Sequence, residues 1–127
     1  MMTLWCIFCS PLMLGADMPQ LDEWIISLLT NIDVLKLLDP DCHGCQIFRD
    51  DTKAIWKSEN KNNNTVYIAL FNLSDKEQTI RASLDELELC CTDGKELWTR
   101  NCMIIGTPLS LACLLMPAHG IKYFNTQ

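Results

Sequence analysis

The chain is 127 residues long and 49% hydrophobic, with a formal net charge of -6. That length suits one domain, or a small domain with an appendage, and allows burial of about two-thirds of the unfolded surface. The apolar content excludes disorder, and an acidic chain without a Lys/Arg cluster excludes nucleic acid as a partner.

Met1 to Ala16 carries no charge, and the first basic residue is Lys36. An export signal would need a positive leading region, which this run lacks. Pro11 interrupts it, and it falls short of the ~20 residues that span a bilayer. The expectation is a cytoplasmic chain without a membrane partner. Met1 to Cys9 predicts a helical turn or two, stopped before Pro11. Leu12-Met13-Leu14 runs into Gly15-Ala16-Asp17 and predicts a strand, Leu12 to Ala16, buried on both faces as in a helix-covered parallel sheet.

A helix follows, with Asp17 as N-cap, Pro19 in its first turn and Asp22-Glu23 near the positive end of its dipole. Leu21, Trp24, Ile25, Leu28 and Leu29 share one of its faces. Asn31 is expected to cap a second short helix through Val34, Leu35 and Leu38, which Asp39-Pro40-Asp41 stops. Turn-prone residues up to Gly44 mark a boundary, giving residues 1–41 and 42–127 as the two parts. No second strand of the parallel kind occurs, so the first part reads as cut out of something larger.

From Gln46 onward the apolar period is two. Ala54 and Trp56 alternate with Lys53, Ile55 and Lys57, and Asn60-Lys61-Asn62-Asn63-Asn64 predicts a hairpin turn. Thr65 to Leu73 is apolar on both faces and predicts a central strand. Ile80, Ala82 and Leu84 alternate with Thr79, Arg81 and Ser83, a strand with one wet face. Leu87 to Cys91, Lys95 to Trp98, Leu109 to Leu115 and Ile121 to Phe124 complete about eight strands of an antiparallel β-sandwich.

Eight cysteines, Cys6, Cys9, Cys42, Cys45, Cys90, Cys91, Cys102 and Cys113, read as reduced thiols in that compartment. Cys6/Cys9 and Cys42/Cys45 form two CxxC pairs, an arrangement that can close a zinc tetrahedron. The first pair sits in an apolar helical setting, however, and the separation exceeds the zinc-ribbon range, so no metal and no cofactor is expected. A redox pair belongs at a helix N-terminus after a strand, whereas Cys42 and Cys45 follow a helix and lead into β-structure. His43 and His119 have no partner motif for nucleophilic catalysis. Asp17 ends the predicted strand, but a glycosidase needs a second carboxylate across a cleft. Asp39, Asp41, Asp50 and Asp51 lie in turns, where capping is the ordinary role. Asn63 and Asn72 head glycosylation sequons that matter only in a secretory pathway. No catalytic residue is assigned.

Several stretches together resemble the C-terminal end of a melibiase-type α-galactosidase. Trp5 to Asp17 resembles the last helix-to-strand passage of that family's (β/α)8 barrel. Leu28-Leu29-Thr30-Asn31, Asp33-Val34 and Asp39-Pro40 resemble its final helices, and Gly44-Cys45-Gln46 with Arg49 the link to its C-terminal domain. Val66 to Asp75, Glu96-Leu97-Trp98 and Pro117 to Ile121 are similar to strands of its antiparallel sandwich. The resemblance spans nearly the whole chain.

It implies a fold of barrel remnant plus sandwich and a parent reaction of retaining hydrolysis of terminal α-galactosides by two aspartates. Those aspartates lie on earlier barrel strands absent from this sequence. The chain alone is therefore expected to be inactive, to meet a galactoside only with a full barrel, and to self-associate through its apolar N-terminal segment. The alternatives are a carbohydrate-binding or accessory module using Trp56, Trp98 and Tyr67 as platforms, and, third, a structural zinc protein.

Overall fold

The computed structural model describes residues 2–15, 17–76, 78–83, 85–89, 93–98, 102–104, 110–115 and 121–126. Three short helices come first: α1 (Met2–Ile7), α2 (Glu23–Leu29) and α3 (Ile32–Leu35). Single 3-10 turns stand at Met18–Gln20 and Lys36–Leu38. Among the described residues eight strands follow: β1 (Cys42–Arg49), β2 (Lys53–Asn60), β3 (Thr65–Asn72), β4 (Gln78–Ser83), β5 (Asp93–Glu96), β6 (Cys102–Ile104), β7 (Ser110–Leu115) and β8 (Ile121–Thr126). The chain is thus mainly β, with few helices.

Six strands form one antiparallel sheet in the order β1-β2-β3-β8-β5-β6, and β4 pairs with β7 in a two-stranded ribbon. Strand β3 lies inside the sheet because its two sets of side chains are both apolar. One set, Ile68 and Leu70, packs with Ile55 against Ile80 and Ala82 of the ribbon and against Leu87 and Leu89. The other, Tyr67, Ala69 and Phe71, packs with Ala54 against Cys6, Ile7, Val34 and Leu37 of the helical part, and against Cys42 and Leu97. The period-two pattern therefore reports two separate cores, one on each side of the sheet.

Several expectations are met. The β2–β3 hairpin turns at residues 61–64, with Asn64 in the left-handed region at φ 55. In β4, Ile80 and Ala82 are buried while Thr79 and Arg81 are exposed. The strand expected at Leu12 to Ala16 is not formed over the residues described there. Residues 11–15 are irregular, with Met13 85% and Leu14 45% exposed. No described strand pairs with them, and a strand needs a neighbour to take its backbone hydrogen bonds.

The helix N-cap also moves. Asp22, not Asp17, caps α2, its carboxylate accepting the Ile25 N–H at 2.7 Å. Asp17 accepts instead from the Gln20 side chain, and Pro19 sits in the 3-10 turn. Leu21, Ile25, Leu28 and Leu29 are half-buried, but Trp24 is exposed. Asn31 does precede α3, yet its side chain makes no cap. Its Nδ2 donates to the Leu97 carbonyl at 2.9 Å, 66 positions away, and ties the helical part to the end of β5.

In the β part, β1 begins at Cys42, ahead of the expected Gln46, and carries a bulge between Gln46 and Phe48. Leu87 and Leu89 do not belong to a strand. Residues 85–88 form a turn, with Leu87 N–H donating to Ser83 O and Glu88 at φ 56. Their alternation records two plugs pushed into the ribbon-side core. Cys90, Cys91, Leu84 and Leu109 lie outside the described residues. Leu97 and Trp98 fall in a turn after β5, and the short β6 was not expected.

Candidate functional site

Three of the sequence's candidate thiols meet where α1, the Lys36–Leu38 turn and β1 converge. The Cys9 Sγ donates to the Cys42 carbonyl at 3.3 Å and reaches the Leu37 carbonyl at 3.6 Å. Cys42 Sγ donates to the Lys36 carbonyl at 3.5 Å and accepts from Asn60 Nδ2 at 3.6 Å. Cys6 and Cys42 are buried, Cys45 is exposed, and all four are free. Among the described residues no group of three His, Cys, Asp or Glu could hold a metal ion. Three of the four CxxC thiols come together in one core, while Cys45 is exposed and completes no ligand set with them.

Gly44 stands between Cys42 and Cys45 on β1. It lets the end of α1 approach β1: a Cβ there would stand 2.0 Å from the Ile7 carbonyl oxygen. Burial, with a smaller contribution from Cys9, pushes the Cys6 thiol from 9.0 up to about 11. Burial also raises Cys42, against the lowering effect of its Asn60 hydrogen bond. A redox pair needs the opposite shift. These thiols act as small core hydrophobes.

A thiol reagent at pH 8 is accordingly expected to modify Cys45 well before Cys6 and Cys42, followed by mass spectrometry of quenched samples. Equal rates at Cys6 and Cys45 would contradict the packing described. The folded chain holds the Cys6 proton more tightly than the unfolded chain does. This contribution to stability is fully present below pH 9 and is lost as pH rises towards about 11.

The remaining candidates occupy ordinary roles. Asp17 is exposed, and His43 lies on the exposed part of β1. Asp39 accepts from the Asp41 N–H, and Asp50 from the N–H groups of Thr52 and Lys53. Asp33 bonds Lys95 at 2.8 Å and Lys36 at 3.1 Å, which holds its carboxyl below the usual range. The Asn72 side chain is buried in bonds to Ser74, Lys76 and Gln78. Tyr67 is buried, while Trp56 and Trp98 are half-buried against the helical-side core, Trp56 with the Phe8 ring 5.1 Å away. None of the three is an open sugar platform. His119 lies outside the described residues.

Two surface features stand out: the first is the apolar N-terminal segment from which self-association was expected, and the second, a cleft, was not anticipated from sequence. Leu4, Trp5, Phe8, Met13 and Leu14 form an exposed apolar run, next to a cavity of about 370 Å³ lined by Trp5, Ser10, Pro11 and Met13. A second cavity, about 440 Å³, lies between the bulged β1, β2, β4 and the turn after it. Phe48, Lys53, Arg81 and Glu86 stand around it, above Ile55 and Leu87. The sequence signal for it was the adjacent apolar pair Ile47-Phe48, which an alternating strand cannot bury on one face. Only the turn at residues 85–88 brings Glu86 to the same place.

No family model matches the chain, and no curated protein does. Solved structures of glycoside hydrolases do match, over 99% of the chain. A GH27 β-L-arabinopyranosidase from Geobacillus stearothermophilus is 31% identical with a TM-score of 0.90. The α-galactosidase I of Mortierella vinacea is 19% identical with a TM-score of 0.83, and an α-galactosidase of Saccharomyces cerevisiae 16% identical with 0.76. The last two are likenesses of fold alone. The chain has the fold of part of a melibiase-type glycoside hydrolase. It spans 28% of the Geobacillus enzyme, 34% of the Mortierella enzyme and 42% of the yeast enzyme.

Proposed function

We propose that the chain is the C-terminal part of an α-galactosidase-type glycosidase, comprising the end of a catalytic barrel (residues 1–41) and a β-sandwich (residues 42–127). The observation that carries this reading is the match of 99% of the chain, at 31% identity, to a GH27 enzyme. The six-stranded sheet and the β4–β7 ribbon, with a shared apolar core between them, support the sandwich. The parent reaction would be retaining hydrolysis of a terminal α-galactoside or a pyranoside of related stereochemistry. Cytoplasmic residence belongs to the same proposal, with free thiols in its support.

Retaining hydrolysis needs two carboxyl groups about 5 Å apart facing one sugar. Among the described residues, one cavity has no carboxylate in its lining and the other has Glu86 alone. The purified chain is therefore expected to release no nitrophenol from nitrophenyl α-galactoside or β-L-arabinopyranoside. Turnover above a buffer blank would defeat the proposal of inactivity. The accessory-module reading is not favoured, because its aromatic platforms pack into the core, and the zinc reading lacks a ligand cluster among the described residues.

The exposed apolar run of α1 and residues 13–14 supports a further part of the proposal. In the 127-residue chain this exposed apolar surface seeks a second copy. Sedimentation velocity should show concentration-dependent association that Trp5→Ser with Phe8→Ser abolishes. A monomer at every concentration would refute self-association.

A further inference from the structure

The cavity beside the β1 bulge differs from the rest of the surface in charge. The chain has 16 acidic against 10 basic residues, yet this cleft presents two cations, Lys53 and Arg81, and one carboxylate, Glu86. Among the described residues neither cation is in an ion pair. Asp50 is near Lys53, but its carboxylate is held by the Thr52 side chain and by the backbone of Thr52 and Lys53. The Lys53 ammonium lies 4.9 Å from the Phe48 ring centroid, and Phe48 is 42% exposed. The floor is apolar, with Ile55 5% and Leu87 1% exposed.

A half-open aromatic ring over an aliphatic floor suits the C–H face of a sugar ring. A guanidinium and an ammonium that stand outside any ion pair among the described residues suit an anion, the guanidinium through paired N–H donors. Glu86 can accept from a ligand hydroxyl, since its Oε2 takes one weak bond, from Ser83 N–H at 3.3 Å. A cavity of about 440 Å³ is of ligand-binding size. From this combination we propose that the cleft binds a carboxylate-bearing pyranose, a hexuronate unit. Arg81 and Lys53 take the carboxylate, Phe48 takes the ring face and Glu86 takes a hydroxyl. The proposal does not depend on whether this chain has hydrolytic activity.

Galacturonate, galactose and acetate, each titrated into the 127-residue chain, distinguish the parts of the proposal. Backbone amide NMR should show saturable galacturonate shifts at Phe48, Lys53 and Arg81, with galactose and acetate each about tenfold weaker or more. Arg81→Gln and Phe48→Leu should each weaken galacturonate by about tenfold. Trp5→Ala, at the other cavity, should leave it unchanged. Both cleft residues are exposed, and circular dichroism checks that the variants remain folded. Galactose binding as tight as galacturonate, or acetate binding as tight, would overturn the proposal. So would the absence of saturable shifts, or galacturonate binding indifferent to Arg81→Gln.

Discussion

Gly44→Ala should destabilise the chain by about 3 kcal/mol or more, near the upper end of what overpacking costs. The added methyl would stand 2.0 Å from the Ile7 carbonyl oxygen and 3.2 Å from its carbon. Both atoms are backbone, so no side-chain rotation relieves the contact. Neither backbone is free to retreat. Ile7 and Cys6 are fully buried, and Gly44 is paired with Ser58 across the sheet. The chain must lift α1 off β1 or break the β1–β2 register, and either change opens the helical-side core. Gly44 does not have a positive φ, so the effect comes from close approach and not from backbone strain.

Urea unfolding followed by tryptophan fluorescence measures the loss. Faster alkylation of Cys6 in the variant would show α1 lifting. Gly15→Ala is the control, since nothing lies within 4 Å of a Cβ there. It should be neutral or slightly stabilising. If the two substitutions gave the same unfolding midpoint, the packing of α1 on β1 would be wrong.

Leu70→Ala should cost about 2–5 kcal/mol, as large-to-small changes in tight cores do. Leu70 is fully buried between Ile55, Ile68 and the ribbon residues Ile80 and Ala82. It lies in β3, paired on both edges, so the strand cannot move in to fill the hole. A small domain is stable by only about 5–15 kcal/mol, so this one substitution can remove a large share of the total. Leu73→Ala, one residue past the strand and 45% exposed, should change stability by about 0.5 kcal/mol or less. Thermal unfolding of the two variants side by side checks the contrast. Equal melting temperatures would mean that the ribbon does not cover this face.

The legible parts of the fold are those whose signal is local. Strand β3, the Asn-rich hairpin and the end of the helical part at Asp39-Pro40, after the Lys36–Leu38 turn, follow from periodicity and turn chemistry within a few residues. The misread parts depend on a distant partner. Leu12 to Leu14 has strand composition, but composition makes no strand without a neighbour to bond. Asn31 has the right residue type and position for a cap, yet its amide reaches Leu97. Leu87 and Leu89 alternate like a strand because a turn drives both into one core. For the cleft, Phe48, Lys53, Arg81 and Glu86 come from three strands and a turn, and no spacing in the sequence links them.

The sequence by itself determined that this is an ordered, acidic, mainly β chain with a short helical lead, and its motif order determined the enzyme family it resembles. These are properties of composition and of contacts between near neighbours, which a linear reading contains. Tertiary structure decided what each candidate residue does: that three of the four CxxC thiols meet in a core while Cys45 stays exposed, that Gly44 admits a helix end, and that the aromatic platforms pack in or against the core. It also decided where two cations stand outside any ion pair among the described residues. Burial and ion pairing depend on which segments lie across from one another, and the pairing of strands sets that.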